Sequence, residues 1–244
     1  MTALQAFTKN LFCGETSSKK FSSSGLTARL ALDDATKADA YALRHRSYLS
    51  GGYIDQQPGG LFSDADDLRP NSRSIVVYKH RRPVASVRLC TLDGYSREKA
   101  GEIPASRIFP EAVAKLTAPR HQRRPVRLTE INRLVRHPDF ATDLELVFVL
   151  FRLVSFLVIE TDADMMLNCV RRNHTLFYRR LHFSHVDGPR RYAGVKFETA
   201  LMSCPRERYA QLMADIPFVA TNHERKRAYA GLMRGETVTV FAKG

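Results

Sequence analysis

Cysteine is scarce and dispersed. The 244 residues hold four, Cys13, Cys90, Cys169 and Cys204, with no C-x-x-C pair among them. Such spacing argues against a metal site and a disulfide framework, and fits reduced thiols in a cytoplasmic protein. Long hydrophobic runs are missing too. The most apolar segment, Leu144–Ile159, is interrupted by Glu145 and Arg152. It falls short of the roughly 20 residues that a membrane span needs, so it reads as a buried core helix. The N-terminal stretch has only short apolar pieces near Leu4 and Leu11 and no small-residue cleavage site, so no secretory signal is expected. No internal repeat is visible. Aromatic residues are sparse around the basic clusters Arg120–Arg124 and Arg190-Arg191, which argues against base stacking and a nucleic-acid partner.

What is present supports a folded domain. Hydrophobic residues make up 44%, enough for a real core, and 38 Lys and Arg against 25 Asp and Glu leave a net charge of +13. That excess draws polyanions. On charge alone nucleic acid, a membrane surface touched peripherally and an acidic carrier protein all qualify.

Patterning divides the chain into a polar, Ser-rich leader at 1–25, a domain at 26–203 and a helical C-terminal extension at 204–244. Asp33 or Asp34 caps a helix whose apolar face runs Ala38, Tyr41, Ala42, His45, Tyr48 and Leu49, and Gly51-Gly52 ends it. Gly51 to Pro70 reads as loop. Strands are expected at Ser74–Lys79 and Val84–Leu92, joined by a hairpin at His80–Pro83, and again at Val126–Val135. A short helix follows near Pro110–Leu116, and Thr142 or Asp143 caps the long apolar helix ending near Glu160. Strand Asp164–Val170, helix Asn173–Leu181 and a strand beginning at His182–Val186 come next. Lys196–Met202 is expected to be the last strand of the domain, with helices at Arg206–Ala214 and Glu224–Leu232 beyond it. This order implies an α/β (α+β) layer architecture with a mixed sheet covered by helices.

Several segments, in order, carry a resemblance. They are Leu43-Arg44-His45-Arg46-Ser47-Tyr48, Gly52-Tyr53-Ile54, Phe62-Ser63-Asp64-Ala65-Asp66-Asp67, Pro70-Asn71-Ser72 and Val87-Arg88-Leu89. Ile108-Phe109-Pro110-Glu111, Thr129-Glu130-Ile131-Asn132-Arg133-Leu134 and the run from His174 to Phe183 complete the set. Together they resemble the N-acyl amino acid synthases and the related acyl-homoserine lactone (autoinducer) synthases of the GCN5-related N-acyltransferase superfamily. The resemblance implies the acyl-CoA N-acyltransferase-like (GNAT) fold. It also implies transfer of an acyl group to an amine.

Two departures bear on the substrates. Lactone synthases usually carry a Trp in the loop after the first helix, whereas this chain has no Trp and places Tyr53 or Ile54 there. That favours an amino-acid acceptor over S-adenosylmethionine. Coenzyme A users of the superfamily cradle pyrophosphate in a Gly-rich turn at a helix N-terminus. Here Arg136-His137-Pro138-Asp139-Phe140-Ala141-Thr142-Asp143 has no Gly and two Asp. The expected donor is therefore a phosphopantetheine arm on acidic acyl carrier protein, with no other cofactor.

Amide formation needs a base near the amine and both substrates in register. Glu130 is the candidate base, as a carboxylate between Leu128 and Ile131 on a strand. The plainer reading pairs it with Arg133 or Arg127. Glu130 and Arg133, three apart, face one site only if a bulge shifts the strand's phase. Arg133 and Arg88 complete the catalytic set, Arg88 binding a substrate carboxylate or orienting Asp64 or Asp67. Arg44, Tyr48, Tyr53, Asp64, Asp67 and Phe109 are the candidate substrate-binding residues. Val147, Phe148, Phe151, Leu153 and Phe156 would wall the acyl slot, or else belong to the core.

Overall fold

A computed structural model describes residues 25–93, 102–118, 126–192, 194–215 and 229–240. The expected leader, apart from Gly25, the basic cluster Arg120–Arg124 and most of the expected helix Glu224–Leu232 lie outside the described residues. The strands are β1 (Leu26–Leu30), β2 (Ser72–Lys79), β3 (Arg82–Asp93), β4 (Arg127–Arg136), β5 (Met165–Arg171), β6 (Ser184–Arg191), β7 (Glu198–Pro205) and β8 (Val238–Thr239). The helices are α1 (Asp34–Ser50), α2 (Pro104–Ile108), α3 (Pro110–Thr117), α4 (Leu144–Glu160), α5 (Thr175–Arg180) and α6 (Arg206–Asp215). All eight strands form one sheet in the order β6-β7-β5-β4-β3-β2-β1-β8. The β4–β5 pair is parallel, while the neighbouring pairs β3–β4 and β5–β7 are antiparallel.

The two long helices start where their caps demand. The Asp33 carboxylate accepts the Thr36 N–H, and Asp143 accepts those of Glu145 and Leu146. Each cap is worth about 1 kcal/mol. On the α4 face, Val87, Leu89, Ile131, Met166 and Met202 meet Leu146, Val149, Leu150, Leu153 and Val154 in the main core. Val147, Phe148, Phe151 and Phe156 are buried on the same helix, so the proposed slot walls are core residues. The opposite face carries α1 over Val76 and Val135, and a second cluster of Cys90, Leu128, Leu167 and Leu201 under Ala105, Phe109 and Val113.

Three expectations change. The buried face of α1 is Thr36, Ala40, Leu43, Arg44 and His45; of the expected stripe His45 is buried and Tyr41 and Tyr48 pack at its edge, while Ala38 and Leu49 are exposed. Apolarity is a poor guide where an arginine is buried with its carboxylate partner. Strand β1, with its alternating buried pattern, was not anticipated. The strand expected at Lys196–Met202 is β7, Glu198–Pro205, but the chain adds one more strand beyond it. Beyond α6, β8 pairs with β1, and Tyr229, Leu232, Val238 and Val240 join the main core.

Candidate active site

Strands β4 and β5 pair only from Leu128 to Glu130 against Met165 to Leu167. Beyond that point they separate. The β3–β4 register jumps there, with Ser86 opposite Val135 but Arg88 opposite Asn132, so β4 carries one extra residue. Arg133 takes a left-handed φ of 50°. This is the bulge that the spacing of Glu130 and Arg133 required, and it delivers both to the α1–α2 face.

A cleft of about 1240 Å³ opens on that face, lined by Ile54, Phe62, Asp64, Arg133 and Tyr192 among others. Its acidic loop is locked from beneath. A 3₁₀ turn at Ala65–Leu68 starts with a capping box in which Asp64 accepts the Asp66 N–H and Asp67 accepts the Asp64 N–H. Asp64 then takes Arg88 Nη1 at 2.6 Å, Arg88 Nη2 at 3.2 Å and Arg133 Nη2 at 2.6 Å. Asp67 takes Arg44 Nη1 at 2.6 Å and lies 2.9 Å from Arg88 Nη1. Burial pushes the Asp64 carboxyl up, but the bonds and charges of Arg88 and Arg133 outweigh it and hold the group well below the usual range. An ionised, doubly paired carboxylate is a poor proton acceptor, so Asp64 organises the site.

Glu130 is fully buried. Its Oε2 accepts the Ala105 N–H at 2.7 Å, at the start of α2, and its Oε1 has no partner among the described residues. Burial raises its carboxyl to about 7, against smaller lowering effects from the Ala105 N–H, Asn132 and Arg88. The plainer ion-pair reading fails, because Arg133 is bound to Asp64 and Arg127 to Asp93 and the Thr161 carbonyl. A buried carboxyl near neutral pH with one free oxygen suits general-base work.

The other expected residues divide. Arg88 is buried between Asn132 Oδ1, at 2.8 Å, and Asp64. Arg44 is fully buried, bonded to Asp67 and to Ser74 Oγ at 2.7 Å, and holds the loop without facing the cleft. Tyr48 stands edge-on to Phe62, and the Arg133 guanidinium lies over both rings. Tyr53 stacks under Arg171 at the far end of β5 and accepts its hydrogen bond, tying the loop across the open split. Phe109 is buried in the second cluster, with Arg190 over its ring at 5.1 Å. It does not line the cleft.

Sequence reasoning missed Tyr192. The Val195 N–H closes a turn onto the Tyr192 carbonyl, and Gly194 supplies the φ of 77° within it. The ring packs beside Ile54, Phe62, Val195 and Cys169, 5.3 Å from the Arg133 guanidinium. An aromatic residue just before a glycine turn was the available signal. Among the described residues no His, Cys, Asp and Glu cluster could hold a metal ion, and no helix is long and apolar enough to cross a membrane.

Three comparisons bear on this arrangement. Residues 39–205 match the family model described as N-acyl amino acid synthase FeeM. No curated protein is significantly similar in sequence. Among solved structures, FeeM, an N-acyl amino acid synthase from uncultured soil microbes, is 14% identical with a TM-score of 0.60, covering 78% of this chain and 94% of its own. The CoA-dependent acyl-homoserine lactone synthase BjaI is 15% identical with a TM-score of 0.55, covering 79% and 90%. The AHL synthase LasI is 13% identical with a TM-score of 0.53, covering 73% and 88%. At these identities the likenesses speak for the fold, the GNAT-like fold that the motifs implied. The family match spans the bulged strand, the locked acidic loop and Glu130 together. The chain belongs to the N-acyl amino acid synthase FeeM family and is an N-acyltransferase.

Proposed function

We propose that the chain moves a long-chain acyl group from the phosphopantetheine thioester of an acidic acyl carrier protein to the α-amine of an amino acid. The observation that carries the donor assignment is the Asp143 cap. Its carboxylate occupies the N–H groups of Glu145 and Leu146 at 3.0 and 3.4 Å, the helix terminus where coenzyme A users seat pyrophosphate. A carboxylate there competes with and repels a phosphate. A carrier-borne arm needs no such seat, and the net charge of +13 attracts its protein.

The acceptor assignment follows from the family and from the cleft. Arg69, Arg107, Arg190 and Lys196 line it, each already paired with carboxylates. Arg191 is exposed there and has no ion pair among the described residues. It suits the acceptor's carboxylate. Glu130 then takes the amine's proton, directly or through one water, as nitrogen attacks the thioester.

The test is to incubate the protein with acyl carrier thioesters, acyl-coenzyme A and a mixture of amino acids, and to identify products by mass spectrometry. Acylated amino acid formed far faster from the carrier thioester, with an apparent carrier affinity that weakens with salt, supports the reading. Equal, salt-independent use of acyl-coenzyme A overturns the donor assignment. A lactone made from S-adenosylmethionine, with no acylated amino acid, overturns the acceptor.

A further inference from the structure

Three polar atoms in one neighbourhood are buried without a hydrogen-bond partner among the described residues: Tyr192 Oη, Arg133 Nε and Glu130 Oε1. Each such atom costs about 1–3 kcal/mol, so a cluster of them asks for an occupant. The atoms complement each other in chemistry. Two are donors and one is an acceptor, and the cleft is lined by both Arg133 and Tyr192. Tyr192 and Glu130 are also electrostatic neighbours. Burial, and after it the Glu130 charge, pushes the Tyr192 phenol well above its ordinary value. The phenol therefore stays protonated and remains a donor throughout turnover.

We infer that Tyr192 is a further catalytic residue, whose hydroxyl donates a hydrogen bond to the thioester carbonyl oxygen and, with Arg133 Nε–H, holds the oxyanion of the tetrahedral intermediate. The assignment rests on the acyl-transfer reading above. The amine nitrogen forms a bond to the carbonyl carbon and the C=O pair moves onto oxygen, where the two donors meet it. The nitrogen's proton passes to Glu130. The pair on oxygen then returns, the C–S bond breaks, and the leaving thiolate collects the proton. No oxidant or further reactant is required. The Tyr192 ring lies under the Arg133 guanidinium at 5.3 Å, which keeps the two donors side by side.

Tyr192→Phe is the decisive variant, because it removes one oxygen and keeps the ring on Arg133. If the hydroxyl serves the oxyanion, kcat with carrier thioesters falls about a hundredfold. KM for donor and acceptor stays within a few fold, and the melting temperature holds or rises because an unpaired buried hydroxyl is gone. Tyr192→Leu separates packing from chemistry, since it loses stability as well as turnover. Undiminished kcat in Tyr192→Phe overturns the assignment while leaving the acyl-transfer reading intact. A wild-type protein that acylates no amine overturns both.

Discussion

Arg133 Nη2 and Asp64 Oδ2 lie 2.6 Å apart although 69 residues separate them in the chain. That contact joins the bulge of β4 to the acidic loop, and Arg88 shares the same carboxylate. Arg133 and Arg88 are both buried; Asp64 is the carboxylate paired with Arg133, while Arg88 shares it and also pairs with Asp67. Asp64→Asn leaves the buried Arg133 guanidinium without its carboxylate and Arg88 with Asp67 alone, and is expected to cost about 3–5 kcal/mol. Chemical denaturation of the two proteins checks this. A loss below about 1 kcal/mol would show that water reaches the arginines and that the lock is weak.

Glu130 supplies a pH-dependent test. Its carboxyl is raised from 4.5 to about 7 in the folded protein. The folded chain therefore holds a proton that the unfolded chain has released. The associated stability is fully present below the unfolded value and is lost as pH rises through the folded value. A rise of that size corresponds to about 3 kcal/mol. Glu130→Gln keeps an acceptor for the Ala105 N–H and carries no charge. Between about pH 5 and pH 8 its stability should stay flatter than that of the wild type, so the variant gains relative stability at the alkaline end. Turnover should fall by about a hundredfold. Parallel pH profiles of melting temperature and rate read both effects, and a variant as active as the parent would move the base to a bound water.

Asp143→Ala tests the donor assignment from the protein side. Loss of the cap should destabilise α4 by about 1 kcal/mol. It also frees the Glu145 and Leu146 N–H groups for a phosphate. KM for acyl-coenzyme A is then expected to drop several-fold, with carrier-thioester kinetics little changed. Unaltered selectivity would mean that the helix terminus does not meet the donor.

The C-terminal segment is expected to be structural. Tyr229 is almost fully buried, packs against Phe156 with centroids 5.4 Å apart and bonds to the Val240 carbonyl. Tyr229→Ala should cost about 3–5 kcal/mol, measured by denaturant unfolding. A change smaller than about 1 kcal/mol would make this segment an accessory to the domain.

The sequence by itself determined what depends on neighbours along the chain. Asp33 and Asp143 were legible as caps because a cap is a contact over two or three residues. The strands from Ser74 to Val135 showed in β-branched patterning, and the spacing of Glu130 and Arg133 made their sharing one site conditional on a bulge, which only the structure supplied. What pairs across long separations was decided only by the tertiary structure. No local rule says that Arg133 bonds Asp64 and not Glu130, that Arg44 faces inward to Asp67, or that β8 closes the sheet on β1. Tyr192 was hidden for the same reason. Its importance lies in an unpaired hydroxyl beside Arg133, 59 residues earlier in the chain, and an unmet hydrogen bond exists only once the surrounding walls have folded into place.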